Sequence, residues 1–155
     1  MAWRIGEILL QKKLITWDQL QDALEEQKKT REFTGEILVK KGYISQSLLY
    51  KALAEQYNIR FIDLKRIKIN PKALELIPRS VCVKYSIIPI EVREEILLIG
   101  ISNPLNVWPE VELKQLTHMT DIRTVLCLPA DITESINVNY GTDAAVVDKI
   151  LKPKS

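Results

Sequence analysis

Two stretches near the start of the chain, residues 4–27 and 33–56, have nearly the same sequence. Each is 24 residues long, five residues separate them, and 11 of the 24 aligned positions are identical. A fixed period with matched ends indicates an internal duplication, and two copies are fewer than the roughly three repeats that a solenoid needs. The duplication therefore predicts a paired unit with approximate two-fold symmetry.

Each copy has the pattern of two short helices. Apolar residues recur at helical spacing in both halves of a copy, and Thr16 and Ser45 are suitable N-cap residues for the second helix. A glutamine three residues after Thr16 completes a capping-box pattern. Gly42 suits the left-handed residue that ends a short helix, whereas its counterpart Lys13 adopts that conformation at a cost or ends its helix differently. Residues 1–58 are therefore predicted to form a four-helix subdomain.

The pattern changes after residue 58. Residues 59–141 predict the order strand, strand, helix, strand, helix, which is typical of a small antiparallel sheet with helices on one face. Pro89 lies within the first of these strands and cannot donate a ladder hydrogen bond, so it predicts an edge strand or a bulge. The fold class is thus α+β, and residues 142–155 are expected to form a flexible tail.

Composition and motifs exclude several classes of protein. The sequence has no P-loop and no nucleophile elbow, and its single histidine, His118, excludes a multi-histidine metal site and is expected in a turn. Cys82 and Cys127 stand alone in apolar, strand-like sequence, which favours buried thiols in a reducing compartment. A net charge of +2 lacks the basic excess of a duplex nucleic-acid binder, and no apolar stretch is long enough to span a membrane. We expect a soluble cytoplasmic protein without a cofactor or an enzymatic activity.

The two glycines that the copies share, Gly6 and Gly35, carry the functional hypothesis. Packing of one helical hairpin on the other accounts for the shared apolar residues but not for glycine, which costs about 1 kcal/mol inside a helix. Glycine is favoured where another group approaches the backbone closely, and Arg4 lies two residues before Gly6. The spacing suggests two equivalent half-sites with free helix-start N–H groups, suited to a two-fold symmetric ligand with two phosphates.

The motifs resemble those of the MshEN family, the N-terminal domain of type II secretion and type IV pilus assembly ATPases. The resemblance rests on RIGEILLQKKLITWDQLQDALEEQ, the five-residue spacer and FTGEILVKKGYISQSLLYKALAEQ. It continues through YNIRFIDLKRIKINPKALELIP, LLIGISNPLN and LKQLTHMTDIRTVL, and covers residues 3–140. It implies a non-catalytic regulatory domain whose two motifs hold cyclic di-GMP, a symmetric bacterial second messenger.

The resemblance also implies which residues of this chain contact that ligand. Arg4 would contact a guanine, Gly6 would allow close approach, and neighbouring leucines would form an apolar wall. Gln27 and Gln56 would close the two copies at the same position. The full set implied is Arg4, Ile5, Gly6, Leu9, Leu10, Leu14, Gln27, Arg31, Phe33, Thr34, Gly35, Leu38, Val39, Gln56, Asn103 and Pro104.

The chain departs from the family pattern at several positions. Phe33 stands where a basic residue is usual, so it either stacks on a base or packs against the protein, and Arg31 is a candidate for the missing charge. Asn103 replaces an aspartate and cannot offer a carboxylate to guanine, and Lys13 and His118 replace glycines. These departures leave a second function open: docking to a secretion or pilus ATPase, or to an inner-membrane platform protein, without a nucleotide.

Overall fold

The computed structural model describes residues 5–104 and 109–141. Within these ranges the chain forms eight α-helices and a three-stranded sheet, so the predicted α+β class is confirmed. The chain divides into two compact units, Met1–Phe61 and Ile62–Ser155. The first unit contains the duplicated sequence and the second contains the sheet. The predicted tail at 142–155 lies outside the described residues.

The first unit is helical, and each copy forms a helix, a tight turn and a second helix. Thr16 Oγ1 accepts a hydrogen bond from Gln19 N at 3.2 Å, and Gln19 Oε1 accepts one from Thr16 N at 2.9 Å, so the predicted capping box is present. Ser45 caps the equivalent helix by accepting from Leu48 N at 3.2 Å. The four helices are α1 Ile5–Gln11, α2 Trp17–Thr30, α3 Thr34–Lys40 and α4 Gln46–Gln56.

The turns that follow α1 and α3 contain equivalent residues in the left-handed conformation. Lys13 has a φ of 61° and Gly42 has a φ of 78°. Glycine reaches this region without a steric penalty, whereas a residue with a Cβ loses roughly 1–2 kcal/mol there. Of the two outcomes predicted for Lys13, the first is correct: it makes the same turn as Gly42 and carries the backbone strain.

The two copies share one apolar core. The equivalent residues Leu9 and Leu38 are completely buried, and so is Leu49 of α4. α1 packs against both α3 and α4, and α2 packs against α3, so each copy buries the apolar face of the other. This is the pairing that the duplication predicts.

A polar contact also joins the two copies at the surface. The Tyr43 hydroxyl donates to Asp22 Oδ2 at 2.5 Å, and Lys41 Nζ lies 2.9 Å from the same oxygen. The hydrogen bond from Tyr43, followed by that from Lys41, lowers the pKa of the Asp22 carboxyl. The turn of the second copy is thereby fastened to α2 of the first.

The second unit is built around a three-stranded sheet. From residue 87 onward its elements follow the predicted order of two strands, a helix, a strand and a helix, and two short helices precede the first strand. Its strands are β1 Ile87–Arg93, β2 Ile96–Ile101 and β3 Asp121–Leu126. Its helices are α5 Pro71–Leu74, α6 Arg79–Tyr85, α7 Glu110–Thr117 and α8 Pro129–Tyr140, preceded by a 3-10 turn at Leu64–Arg66.

The sheet is mixed, which corrects the expectation of an antiparallel sheet. β1 and β2 form an antiparallel hairpin in which Arg93 pairs with Ile96. β2 and β3 run parallel, with Ile96 opposite Asp121 and Ile101 opposite Leu126. The connection from β2 to β3 contains α7, and a helical crossover lets the chain return to the same end of the sheet and start a parallel strand.

β1 is an edge strand with an irregular register, as Pro89 predicts. The strand order is β1-β2-β3, and the register of β1 against β2 shifts between Pro89 and Glu91. Consecutive strand residues face opposite sides of a sheet, yet Ile87, Ile88 and Pro89 are all fully buried. Both faces of β1 are therefore buried at this end. The sequence predicts helices on only one face of the sheet.

The two cysteines are both buried, but only one follows a strand. Cys127 comes directly after β3, whereas Cys82 lies inside α6, a helix that the strand-like sequence did not predict. Burial raises the pKa of Cys82 to about 11 and that of Cys127 to about 12.

His118 ends α7 with a φ of 59°, so it is the predicted turn residue. Over the described ranges, no helix is long and apolar enough to cross a membrane.

Candidate functional site

A cavity of about 600 Å³ lies within the first unit and is lined by residues from both copies. Leu24 and Leu53 are equivalent residues of the two copies, and both line it. Gln27 and Gln56 are a second equivalent pair in the lining. Its full lining is Ile5, Gly6, Glu7, Leu10, Trp17, Leu20, Gln21, Leu24, Gln27, Phe33, Thr34, Leu53, Gln56 and Tyr57.

Seven of the sixteen predicted ligand-binding residues meet at this cavity. Six come from the starts of α1 and α3 and from the last turns of α2 and α4, which the two-fold arrangement of the copies brings together, and Leu10 lies near the end of α1. A second cavity, of about 470 Å³ in the second unit, contains none of the predicted residues. The seven are Ile5, Gly6, Leu10, Gln27, Phe33, Thr34 and Gln56.

Other predicted residues lie elsewhere in the first unit. Leu9 and Leu38 are completely buried, so they form the core between the copies rather than the wall of the cavity. Leu14 lines a smaller surface cavity beside α4. Arg31 ends α2 in the left-handed conformation, and its backbone N–H donates to Gln27 O at 2.7 Å. Val39 is half-buried in α3 and does not line the cavity.

The shared glycines are explained by packing, which corrects the premise that packing leaves them unexplained. A Cβ on Gly6 would lie 2.6 Å from Leu20 Cδ1, and a Cβ on Gly35 would lie 2.7 Å from Leu49 Cδ1. Real Cβ atoms essentially never come within 3.0 Å of another heavy atom. Each glycine therefore lets the two helices of its own copy pack closely, and only Gly6 also lines the cavity.

Phe33 packs against the protein, as one of its two predicted alternatives has it, and its ring also lines the cavity, so stacking on a base stays a prediction. Its Cε1 would lie 2.9 Å from a Cβ on Gly35, so the ring packs against the backbone at the start of α3. The ring remains 38% exposed and lines the cavity. One face of this side chain supports the helix start while another stays available to the cavity.

Seven lining residues were not predicted from the sequence. The leucines of α2 and α4 fit the helical stripe that predicts a core, so nothing in their spacing distinguishes a cavity wall from a core. Trp17 follows the N-cap of α2 and is 61% exposed, an unusual position for the largest apolar side chain. The seven are Glu7, Trp17, Leu20, Gln21, Leu24, Leu53 and Tyr57.

Glu7 is the single charged side chain among the described residues that line the cavity. The amide nitrogen of Gln27 donates to Glu32 O at 3.1 Å, which fixes the end of α2 beside the cavity. Arg4, the predicted cation, lies outside the described residues. The described lining is thus mainly apolar and aromatic, with three glutamine amides, one threonine hydroxyl and one carboxylate.

Asn103 and Pro104 lie in the second unit, directly after β2 and one intervening serine. Their predicted contact with the ligand stays a prediction.

Among the residues that the structure describes, no group of three or more His, Cys, Asp or Glu side chains could hold a metal ion.

The MshEN domain model matches residues 57–146, which is more than half of the chain. The chain belongs to the MshEN family. The match covers the sheet-containing unit, while the duplicated sequence precedes it. The family assignment made from the duplicated motifs is thereby confirmed.

Sequence relatives of this MshEN domain are pilus ATPases and phage adsorption proteins. It is 32% identical over 151 residues to the type IV pilus assembly ATPase PilB of Myxococcus xanthus, covering 97% of this chain and 26% of that protein. It is 38% identical over 102 residues to PilB of Thermus thermophilus, covering 65% of this chain and 11% of that protein. It is 28% identical to bacteriophage adsorption protein B of Escherichia coli, covering 88% of this chain and 18% of that protein. The chain thus spans about a quarter or less of these relatives.

Solved structures share the fold of this MshEN domain. MshE solved with cyclic di-GMP superposes with a TM-score of 0.78 at 24% identity, covering 89% of this chain and 99% of that one. The N-terminal domain of XpsE gives a TM-score of 0.63 at 15% identity, covering 86% of this chain and 92% of that one. At these identities the likeness establishes the fold.

Proposed function

We propose that this MshEN domain is a non-catalytic receptor for cyclic di-GMP. The observation that carries the proposal is the single cavity lined by equivalent residues of both copies, among them Leu24 with Leu53. A ligand made of two identical halves can use the same side chain twice only if both copies reach one space. MshE, which shares the fold, was solved with this ligand.

The size and chemistry of the cavity support a nucleotide ligand. A volume of about 600 Å³ falls within the range of roughly 300–1,000 Å³ that is usual for small-molecule sites. Trp17, Phe33 and Tyr57 place three aromatic rings in the lining, and aromatic rings stack on bases with little regard to their orientation. The leucines supply apolar surface against the sugar and base faces.

The polar part of the site is sparse. Gln27 and Gln56 each provide an amide that can donate to a phosphate or base oxygen. The described lining contains no cation, so the two phosphates require a charge from elsewhere. Arg4 directly precedes Ile5 of the lining in sequence, and a guanidinium makes bidentate contacts to phosphate or guanine. We therefore assign this charge to Arg4.

The relatives support a proposal for the physiological role. PilB is a type IV pilus assembly ATPase, and we propose that this domain regulates such an ATPase, or a related secretion ATPase, in the cytoplasm. Ligand binding would fasten the two copies to each other and so alter the surface that a partner protein meets. A domain that only docks to a platform protein would have the same fold but no ligand response.

A nucleotide comparison tests the proposal. Thermal unfolding is measured with cyclic di-GMP, GTP and ATP, and isothermal titration calorimetry gives the stoichiometry. Cyclic di-GMP at 100 times its Kd should add about 2.7 kcal/mol to the free energy of unfolding, with one ligand per chain, and the mononucleotides should add far less. The absence of any shift with cyclic di-GMP would contradict the proposal and favour the docking function.

Alanine substitutions test whether cyclic di-GMP binds in this cavity. Arg4→Ala should weaken cyclic di-GMP binding by about 1–3 kcal/mol, the range for one bidentate arginine contact. Gln27→Ala and Gln56→Ala should each weaken it. Gln11→Ala is the matched control, because Gln11 is exposed at the end of α1 and does not line the cavity. Equal affinities for all four variants and the wild type would place the ligand elsewhere.

A further inference from the structure

The two copies differ at Gln21, which lines the cavity, and its equivalent Tyr50, which does not. In the second copy, the Tyr50 side chain is buried and hydrogen-bonded to Glu36, and burial followed by the charge of Glu36 raises the pKa of Tyr50 to about 12. The equivalent residues of the first copy are Gln21 and Glu7, and both line the cavity. The contact between the positions of the second copy indicates that Glu7 and Gln21 are also neighbours, with the bulky phenol absent.

Glu7 is consequently a carboxylate that is open to the cavity. It is exposed, and among the described residues it has no hydrogen-bond or ion-pair partner. Glu36, its counterpart, does not line the cavity and accepts a hydrogen bond from Tyr50. The duplication has thus retained the glutamate in both copies but exposes it to the cavity in only one.

A carboxylate restricts what a bound nucleotide can place next to it. It accepts hydrogen bonds and donates none, so it repels phosphates and base lone pairs. The Watson–Crick edge of guanine carries two adjacent donors, N1–H and N2–H₂, which match the two oxygens of one carboxylate. The same edge of adenine places the lone pair of N1 beside its N6 donor. Charge-assisted, bidentate contacts of this kind are stronger than contacts between neutral groups.

We infer that Glu7 reads the Watson–Crick edge of one guanine and makes the site selective for guanine over adenine. This inference rests on the proposed function and adds the residue that sets its base specificity. It also makes the two half-sites unequal, because the second copy holds its glutamate against Tyr50. One base is recognised by hydrogen bonds at its edge, and the other is held by stacking and apolar contacts.

The test compares three cyclic dinucleotides on the wild type and two variants by calorimetry. Cyclic di-IMP lacks the N2 amino group of guanine, and cyclic di-AMP has the wrong edge. Glu7→Gln should weaken cyclic di-GMP binding by about tenfold, within the range for one bidentate base contact. Glu25→Gln is the matched control, because Glu25 is exposed on α2 and does not line the cavity.

The analogues distinguish base reading from a general charge effect. The wild type should prefer cyclic di-GMP to cyclic di-IMP, and Glu7→Gln should reduce that preference, whereas Glu25→Gln should keep it. If the wild type binds cyclic di-GMP and Glu7→Gln retains both the affinity within twofold and the preference, the inference is wrong while the receptor function stands. If the wild type does not bind cyclic di-GMP, both are wrong.

Discussion

Gly35 lies against two side chains that an added methyl group would strike. A Cβ there would lie 2.7 Å from Leu49 Cδ1 and 2.9 Å from Phe33 Cε1. Leu49 is completely buried, and close-packed interiors resist displacement of a side chain. Overpacking costs about 1–3 kcal/mol, and the higher helix propensity of alanine offsets at most about 1 kcal/mol. We expect Gly35→Ala to lower the free energy of unfolding by about 1–2 kcal/mol.

The equivalent substitution at Gly6 has a different consequence. A Cβ there would lie 2.6 Å from Leu20 Cδ1, but Leu20 lines the cavity and can turn toward its open space. Gly6→Ala should therefore cost less than about 1 kcal/mol of stability, since the clash is relieved and helix propensity improves. The displaced leucine would occupy the cavity, so this variant should lose affinity for cyclic di-GMP while remaining folded.

Urea unfolding, followed by circular dichroism, measures both effects through the midpoint and slope of the transition. Gly35→Ala should cost less in a Leu49→Ala background, because the side chain that it strikes has been removed, and neighbouring substitutions are then non-additive. If Gly35→Ala unfolds at the same or a higher urea concentration than the wild type, close packing does not require the glycine and the reasoning is refuted.

Three further predictions concern the first unit. Lys13→Gly should raise the free energy of unfolding by about 1 kcal/mol because it relieves a left-handed φ; an unchanged urea midpoint would contradict this. Tyr43 lowers the pKa of Asp22, so this pair stabilises the fold above the ordinary carboxyl pKa and loses that effect as the pH falls through the lowered one. The free energy of unfolding of the wild type should accordingly exceed that of Asp22→Asn by less at acid pH than at neutral pH. A difference that does not change with pH would show that the ionised Asp22–Tyr43 pair is not its cause. Trp17→Ala should weaken ligand binding by about 1–3 kcal/mol, whereas Leu48→Ala, outside the cavity, should not; equal calorimetric affinities would exclude stacking on Trp17.

Local signals in the sequence account for the parts of the fold that were predicted. Thr16 and Ser45 fix helix starts through their own side chains, and Pro89 restricts its strand through the missing N–H, so each acts without distant partners. α6 was not predicted because its β-branched and apolar residues resemble a strand, and packing rather than propensity decides its conformation. The parallel pairing of β3 depends on the path of the chain through α7, which no local pattern specifies.

The candidate site was predicted only in part, for a related reason. Gln27 and Gln56 occupy the same position in the two copies, which is why both were predicted to contact the ligand, and both line the cavity. Leu9 and Leu10 were both predicted to belong to the apolar wall of the site, yet Leu9 is buried in the core and Leu10 lines the cavity. Which side of a helix faces the partner copy is set by the pairing of the helices, so spacing alone cannot separate core from cavity wall.

A methyl NMR titration with cyclic di-GMP tests most directly whether the two copies build one site. The methyl groups of Leu24 and Leu53 report on equivalent walls of the cavity. Both sets of resonances are predicted to shift and to reach their end points together at one ligand per chain. A titration in which only one of the two leucines responds, or in which they saturate at different ligand ratios, would contradict a single site shared by both copies.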